Sequence, residues 1–239
     1  MRTITCNFLS TSLLVFAVAL SGACASSTEQ DPSSTSSPKQ NQMTGQEAAA
    51  KKALEALPAL VTKDTFSGMG FRSIEEASRA TLGTPIRRRT VGYDKLLNYK
   101  AGTPLAQLFE SREEFIYPVL VGQDVRTSIV VAGNASGWQI TSVGDRYLAN
   151  IISNARQTTP GTPPRTDIEL VSMPGINFDL VSFSEGGQAV LQPTRDLPEA
   201  KLFTGRSVKA DDALIAISNY AKEFDRKYGP EIRKRRLVN

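Results

Sequence analysis

The sequence contains no histidine. Carboxylates and two cysteines are therefore the first side chains to consider for catalysis or metal binding. Without histidine there can be no Ser-His-Asp triad, no Cys-His dyad and no histidine ligand for a metal. Glu113 and Glu114 precede a predicted strand, and either could act with Asp145 or Asp179 as a general acid and base. Glycoside hydrolysis needs two such groups on opposite sides of one sugar bond, and the spacing does not indicate this. Solvated charges at strand ends are the favoured interpretation.

Two further motifs match chemical signatures in form only. Ser36-Ser-Pro-Lys39 has the Ser-x-x-Lys spacing of penicillin-binding enzymes, but a chance match is expected in such a serine-rich run. Asp211 and Asp212 suit the first turn of a helix, and calcium would need more oxygen ligands than this stretch supplies. We therefore predict no catalytic residue, no cofactor and no metal site.

The N-terminus carries the most specific pattern in the chain. Arg2 precedes the apolar stretch Leu13–Leu20, and a run of small residues then ends at Cys24. This pattern resembles a bacterial lipoprotein signal, although Leu20 lies four residues before the cysteine rather than three. The resemblance implies a signal peptide over residues 1–23, acylation of Cys24 with chains such as palmitate, and anchoring in a membrane of the cell envelope.

Ordinary secretion is the alternative interpretation of the same segment. Ala23-Cys24-Ala25 also satisfies the small-x-small rule for cleavage, which would release a soluble secreted or periplasmic protein. A membrane-spanning anchor is disfavoured, because a spanning helix needs about 20 apolar residues. With Cys6 inside the signal, no cysteine pair remains in the mature domain on either interpretation.

Residues 26–43 consist almost entirely of Ser, Thr, Gln, Asn, Pro and isolated charges. Such a composition buries too little apolar area to offset the entropy of ordering. Residues 24–43 are therefore predicted to be a lipidated cysteine followed by a disordered tether, and residues 44–239 to be one globular domain.

Local patterns within the domain alternate between helix and strand. Capping boxes at Thr44-Gly-Gln-Glu47 and Ser73-Ile-Glu-Glu76 start two helices, the second ending at Gly83. Arg87 to Val91 could extend as a strand. Apolar alternation and helical spacing then predict strands at 115–121, 125–131 and 138–143, a helix at 146–157, strands at 168–173, 176–183 and 189–192, and a helix at 207–227.

This order predicts an α+β fold in which the antiparallel meanders form a sheet that is covered on one face by helices. A meander followed by a helix occurs twice, without residue-level similarity between the copies. In outline the arrangement is similar to cystatin-like or nuclear-transport-factor-like modules, which host many functions. The proline-rich segment 158–164 is interpreted as a surface loop, with an interdomain linker as the alternative.

Aromatic and basic residues offer the remaining candidates for binding. Tyr117 and Trp138 could line a ligand groove, although core packing is the favoured role in alternating strands. A first basic cluster is Arg87 to Arg89. The second is a C-terminal run that follows Gly229-Pro230 and is predicted to be frayed and solvated; its members are Arg233, Lys234, Arg235 and Arg236. Its functional alternative is contact with anionic lipid or another acidic envelope polymer, and no nucleic acid partner is expected.

Three functional hypotheses follow. The favoured one is a membrane-tethered envelope lipoprotein that acts as a non-catalytic binding or structural module, with an envelope protein or anionic polymer as partner. The first alternative is a secreted protein-interaction module, such as a protease inhibitor or propeptide-like domain, which an exposed edge strand would favour. The second alternative is a histidine-free enzyme that uses carboxylates in a deep pocket.

Overall fold

The computed structural model describes residues 44–156 and 165–236, with side chains described up to residue 230. The predicted signal peptide, Cys24, the tether with its Ser36 to Lys39 motif, and the proline-rich segment 158–164 lie outside the described residues. The helices are α1 (Gly45–Leu60), α2 (Tyr93–Leu97), α3 (Leu105–Leu108), α4 (Arg146–Arg156) and α5 (Ala210–Arg236), with short 3₁₀ helices at Ile74–Arg79, Pro174–Ile176 and Pro198–Ala200.

The strands form one nine-stranded sheet in the described part of the chain. They are β1 (Thr81–Leu82), β2 (Ile86–Thr90), β3 (Glu113–Val121), β4 (Asp124–Asn134), β5 (Gly137–Val143), β6 (Glu169–Met173), β7 (Phe178–Glu185), β8 (Gln188–Pro193) and β9 (Val208–Lys209). Their spatial order is β5-β4-β3-β2-β6-β7-β8-β9, and β1 pairs with β3 beside this path. The α+β class is confirmed, with both predicted meanders antiparallel.

Strand β2 joins the two meanders. It runs antiparallel to β3 and parallel to β6, so the sheet contains one parallel pair that local alternation does not predict. Phe115, Arg87 and Glu169 are in register across β3, β2 and β6, and their side chains therefore share one face of the sheet.

Helix α1 covers this face over the first meander. The Thr44 hydroxyl accepts the Glu47 backbone N–H at 3.4 Å, as the capping box predicts. Ala50, Ala53 and Leu57 are buried against a cluster of strand side chains that comprises Tyr117, Val119, Ile129 and Val131. The small alanines allow the helix to approach the sheet closely.

Helix α5 covers the same face over the second meander. Leu214, Ile217 and Ala221 are buried against Val171, Leu180 and Leu191. These three strand residues lie on β6, β7 and β8, one on each strand, and share one face of the sheet. These helix residues recur at intervals of three and four, which gives one apolar stripe.

Helix α4 packs on the opposite face and holds the two meanders together. The prediction that helices cover only one face is therefore wrong, because both faces of the central strands carry apolar side chains that need cover. Leu148, Ile151 and Ile152 contact Ile86, Ile116 and Val130 from the first half of the sheet, and the same cluster includes side chains from the second half: Leu170, Val181, Phe183 and Val190. The Asp145 carboxylate caps this helix by accepting the Leu148 N–H at 3.0 Å.

The predicted boundaries of two helices are wrong. The second helix is a 3₁₀ helix that ends at Arg79 instead of reaching Gly83, because the following residues join the sheet as β1. Its expected capping box is not formed, since the Glu76 carboxylate accepts the Arg72 N–H at 2.8 Å and pairs with Arg126 at 3.2 Å.

Helix α5 begins later and ends later than the predicted span of 207–227. Residues before Ala210 pair with β8 as strand β9, which delays the start. The helix continues through Pro230 to Arg236, so the expectation of a frayed end after Gly229 is wrong. Pro230 is exposed, and water can bind the carbonyl that loses its helical partner there. No helix among the described residues combines the length and apolarity needed to cross a bilayer.

Candidate binding groove beside helix α5

A groove of about 620 Å³ lies between the short helix α2 and the distal part of α5. We call it the α2–α5 groove. It is lined by Gly92, Tyr93, Asp94, Lys95, Leu97, Glu110, Gly175, Phe224, Asp225 and Gly229. Its volume falls within the range of about 300–1,000 Å³ typical of ligand sites.

Tyr93 positions one wall of the groove. Its hydroxyl donates to the Ala221 carbonyl at 3.4 Å, which docks α2 on α5. The ring packs directly on Gly175, where an added Cβ would lie 2.4 Å from ring atom Cδ2. Any larger residue at position 175 would therefore displace Tyr93, and the shape of the groove depends on this glycine.

Lys95 joins α2 to the segment that precedes β3. Its ammonium group donates to the Phe109 carbonyl at 2.7 Å and to the Gln107 carbonyl at 3.1 Å. These bonds fix the segment that carries Glu110, whose backbone N–H donates to the Thr90 carbonyl at 2.9 Å. The loop from β2 to β3 is thus tied down on both sides of the groove.

Four charged residues line the groove among the side chains that the structure describes. Asp94, Glu110 and Asp225 are acidic and Lys95 is basic. Asp94 and Glu110 are exposed, whereas Asp225 is half-buried.

Aromatic rings continue from the groove along α5. The ring of Phe224 lies 6.2 Å from that of Tyr220 and 5.0 Å from that of Tyr228. Tyr228 is 40% exposed, and the Lys227 ammonium lies 5.0 Å from the centre of its ring. This part of α5 extends beyond Ala221, the last fully buried apolar side chain among the described residues of the helix.

A buried phenol supports the other end of the contact between α2 and α5. The Tyr99 hydroxyl donates to the Asp211 carboxylate, which also accepts the Gly102 N–H at 2.7 Å. Burial, together with the Asp211 partner, raises the pKa of Tyr99 to about 12. The same hydrogen bonds hold the pKa of Asp211 below its ordinary value. Asp211 is thus a structural acceptor at the start of α5, in agreement with its predicted place in the first turn.

The sequence-predicted carboxylates do not form one site. Glu113 is exposed, whereas Glu114 is only 6% exposed and lies between two arginines: its Oε1 is 2.9 Å from Arg112 and its Oε2 3.8 Å from Arg88. The prediction of a solvated charge is therefore wrong for Glu114, because β2 brings an arginine beside it. Asp145 caps α4, and Asp179 lies on β7.

Of the two aromatic residues predicted to pack in the core, Tyr117 is buried and Trp138 is partly buried at its edge. Tyr117 is buried under α1, and Trp138 packs against the same cluster with its ring 5.6 Å from that of Phe115. Burial raises the pKa of Tyr117. Tyr117 also reaches a second cleft, of about 570 Å³, between the start of α1 and the segment that precedes β2.

The arginines at 87–89 are not an exposed basic cluster. Arg87 stacks on the ring of Phe115 at 5.4 Å, and the Arg88 guanidinium donates to the Ser172 hydroxyl at 3.0 Å. Arg89 lies 3.7 Å from the Glu169 carboxylate and 5.3 Å from the centre of the Phe109 ring. Their interactions within the sheet occupy these side chains, so the predicted surface role falls to the C-terminal basic run alone.

Arg233, Lys234, Arg235 and Arg236 lie in the last turns of α5 by their backbone. Within the described residues, no group of three or more Asp, Glu, Cys or His side chains is placed to hold a metal ion. Comparison with known protein families, with curated proteins and with solved structures finds no match.

Sequence analysis does not single out the α2–α5 groove. Its residues come from the ambiguous region 86–100, from the segment before β3, from a turn and from the distal end of α5. No local spacing connects these four segments. The only sequence signal is the pair of aromatic residues Tyr220 and Phe224 followed by Tyr228, four apart, on a helix whose core stripe is already complete.

Proposed function

We propose that this protein is a lipid-anchored binding module of the bacterial cell envelope, attached to the membrane through an acylated Cys24. The observation that carries the proposal is the apolar stretch followed by small residues that ends at Cys24, with a polar segment directly after it. Cystatin-like or nuclear-transport-factor-like modules remain only an analogy of outline.

Binding rather than catalysis is proposed because the most prominent polar groups have structural partners. Glu114 neutralises two arginines, Asp145 caps a helix and Asp211 accepts two hydrogen bonds. The α2–α5 groove presents aromatic walls, glycines and carboxylates, a composition suited to holding a ligand. A carboxylate enzyme would instead need two facing acids in a deep pocket.

The basic end of α5 supplies a second membrane contact in this proposal. The helix carries Arg233, Lys234, Arg235 and Arg236 in its last turns, and each basic residue near an anionic surface contributes about 1 kcal/mol. A single acyl chain binds membranes only marginally, so a basic segment would add to the anchoring.

The anchor is tested by expressing the full chain and its Cys24→Ser variant in a bacterium and separating membrane from soluble fractions. The unmodified chain should partition with the membrane and carry an acylated N-terminal cysteine by mass spectrometry, whereas the variant should be soluble and exported. Membrane partition of both chains, with a free N-terminus at residue 24 or later, would overturn the proposal.

The basic contact is tested separately with the Cys24→Ser chain and vesicles. Binding should be stronger to vesicles that contain anionic lipid than to neutral ones, and added salt should weaken it, because exposed charges are screened within about 8 Å at physiological ionic strength. Replacement of the four basic residues 233–236 by Ser should abolish the difference. Equal binding of both proteins to both vesicle types would leave the acyl group as the sole anchor.

A second candidate function is a protein-interaction module that adds a partner strand. Strand β5 pairs only with β4 in the described sheet and contains no charged residue, and charged residues commonly protect edge strands from pairing. Ile140 is 41% exposed on this edge. A Thr141→Pro variant lacks a backbone N–H on this edge and should no longer bind a partner protease or envelope protein. Ile140→Thr keeps every backbone N–H and should still bind it. Equal binding by the two variants would exclude strand addition.

A further inference from the structure

We infer that strand β5 pairs with the β5 of a second copy of this chain, in an antiparallel arrangement with two-fold symmetry. The inference rests on the second candidate function, strand addition, and it names the partner. Three features carry it: the contrast between the two edges of the sheet, the order of side chains along β5 and the absence of charge on this strand.

The two edges of the described sheet differ in their protection. At one edge, β9 consists of Val208 and Lys209 and leads directly into α5. A very short strand that carries a lysine is a common protection against unwanted pairing. At the other edge, β5 has seven residues, none of them charged, and pairs only with β4 among the described strands. The β5 edge can therefore accept a further strand.

A β-bulge limits the part of β5 that can pair. Ile140 lies opposite Val131, whereas Ser142 lies opposite Val130, so Thr141 is an extra residue in the ladder. A bulge hinders the addition of a strand at the point where it occurs. The regular part of the edge is therefore residues 137–140, and we place the pairing there.

The side chains of this regular part determine the register. Trp138 and Ile140 lie opposite Gly133 and Val131, so both are on the face that α1 covers, and Gln139 is on the other face. With Gln139 on the two-fold axis, Trp138 of each copy lies opposite Ile140 of the other. An aromatic residue opposite a β-branched one is a favourable cross-strand pair. The pairing also covers Ile140, which is 41% exposed in a single copy.

The absence of charge favours a second copy over a protein of different sequence. In a symmetric pair, the side chain on the axis meets its own copy, and a charge there would meet a like charge. Gln139 is neutral and exposed, and its amide both donates and accepts hydrogen bonds, so two copies of it can bond to each other. An unrelated partner could instead use complementary charges, which β5 does not offer.

The short regular segment predicts a weak dimer in solution. Pairing over these few residues covers less area than a standard stable interface. Anchoring of both copies on one membrane, as in the proposed function, raises their effective concentration and favours the pair. The dimer is therefore expected to form most readily at high protein concentration.

The test uses sedimentation velocity of the Cys24→Ser chain, which cannot be acylated, at increasing protein concentration. The chain with unchanged β5 should form dimers as the concentration rises. Gln139→Lys and Gln139→Glu should each weaken dimerisation by up to about fivefold, because two like charges then meet on the axis. An equimolar mixture of these two variants should recover the dimer, because Lys then meets Glu.

A matched variant separates the β5 edge from general surface charge. Gln188→Lys makes the same change of charge at an exposed position on β8, in the other half of the sheet, and should leave dimerisation unchanged. Circular dichroism checks the fold of each variant. Absence of dimers in the chain with unchanged β5, equal weakening by Gln139→Lys and Gln188→Lys, or no recovery in the mixture would each overturn pairing with a second copy.

Failure of this inference is distinguishable from failure of the proposed function. Sedimentation uses a chain without the acyl group, so absence of dimers has no bearing on whether the unmodified chain partitions with the membrane. Strand addition to a different protein is tested separately, by comparing its binding to the Thr141→Pro and Ile140→Thr variants.

Discussion

The two halves of the sheet follow one plan but expose different surfaces. In the first half, α1 packs Ala50, Ala53 and Leu57 against β3 and β4. This helix ends at Leu60, three residues after its last buried side chain. In the second half, α5 has 27 residues, and Ala221 is the last fully buried apolar side chain among those described. The part of α5 beyond Ala221 forms one wall of the α2–α5 groove, where Phe224 is partly buried. A helix longer than its covered stripe thus forms a groove with a neighbouring element.

The halves also differ in how they treat charge. The first half buries Glu114 beside Arg88 and Arg112, so its ionic groups neutralise one another within the sheet. The groove of the second half leaves carboxylates at the surface. Charge is paired within the sheet in the first region and exposed at Asp94 and Glu110 in the second, and this contrast can be tested by substitutions in each region.

The largest expected effect comes from the helix that both halves share. Ile152→Ala should lower the free energy of unfolding by about 2–5 kcal/mol, since Ile152 is fully buried between the two meanders. Urea unfolding followed by Trp138 fluorescence and by far-UV circular dichroism should give coincident transitions. Ile140→Ala, at an exposed position, is the control and should have little effect on stability. Separate transitions by the two probes would show that the two halves unfold independently.

Glu114→Gln should have the next largest effect. It would leave Arg88 without its carboxylate in a mostly buried position, and we expect a loss of stability of about 2 kcal/mol. This loss is smaller than is typical for a buried ion pair, because the other partner, Arg112, is 54% exposed. Glu113→Gln is the matched control on the same strand and should change stability by less than about 0.5 kcal/mol. Equal effects of the two substitutions would contradict a structural role for the buried carboxylate.

Alkaline pH should act on the second half through Tyr99. Its pKa is raised from 10 to about 12, so the folded protein favours the neutral phenol. This stabilisation is complete below pH 10 and is lost as the pH rises towards 12. Tyr99→Phe should remove that part of the pH dependence of the melting temperature between pH 10 and pH 12; an unchanged profile would show that another group is responsible.

The smallest effect is expected at the cap of α1. Thr44→Ala should destabilise the protein by about 0.5 kcal/mol, at the low end for N-caps because the hydrogen bond to the Glu47 N–H is long, at 3.4 Å. Thr44→Ser keeps the hydroxyl and should restore stability in the same unfolding assay. A loss of several kcal/mol would mean that Thr44 has a further role in the fold.

The elements that sequence analysis predicts well are those with local causes. Strands β3 to β5 and β6 to β8 follow from alternation between turns, and α4 follows from apolar spacing, which is seen at Leu148, Ile151 and Ile152. Capping chemistry identifies α1 correctly but misleads at Ser73, because the Glu76 carboxylate there accepts from Arg72 and pairs with Arg126 from another strand. Local rules fail where a distant partner competes for the same group.

The sequence by itself determined the α+β class, the two meanders, the helices that cover them and the burial of Tyr117. These features depend on the spacing of apolar residues over a few positions. That spacing matches the repeat of side-chain directions in helices and strands. Only the tertiary structure decided the parallel contact of β2 with β6, the burial of Glu114, the partners of the β2 arginines, and the groove beside α5. Each of these joins residues far apart in the chain, and their proximity arises from how whole elements pack, which no local spacing encodes.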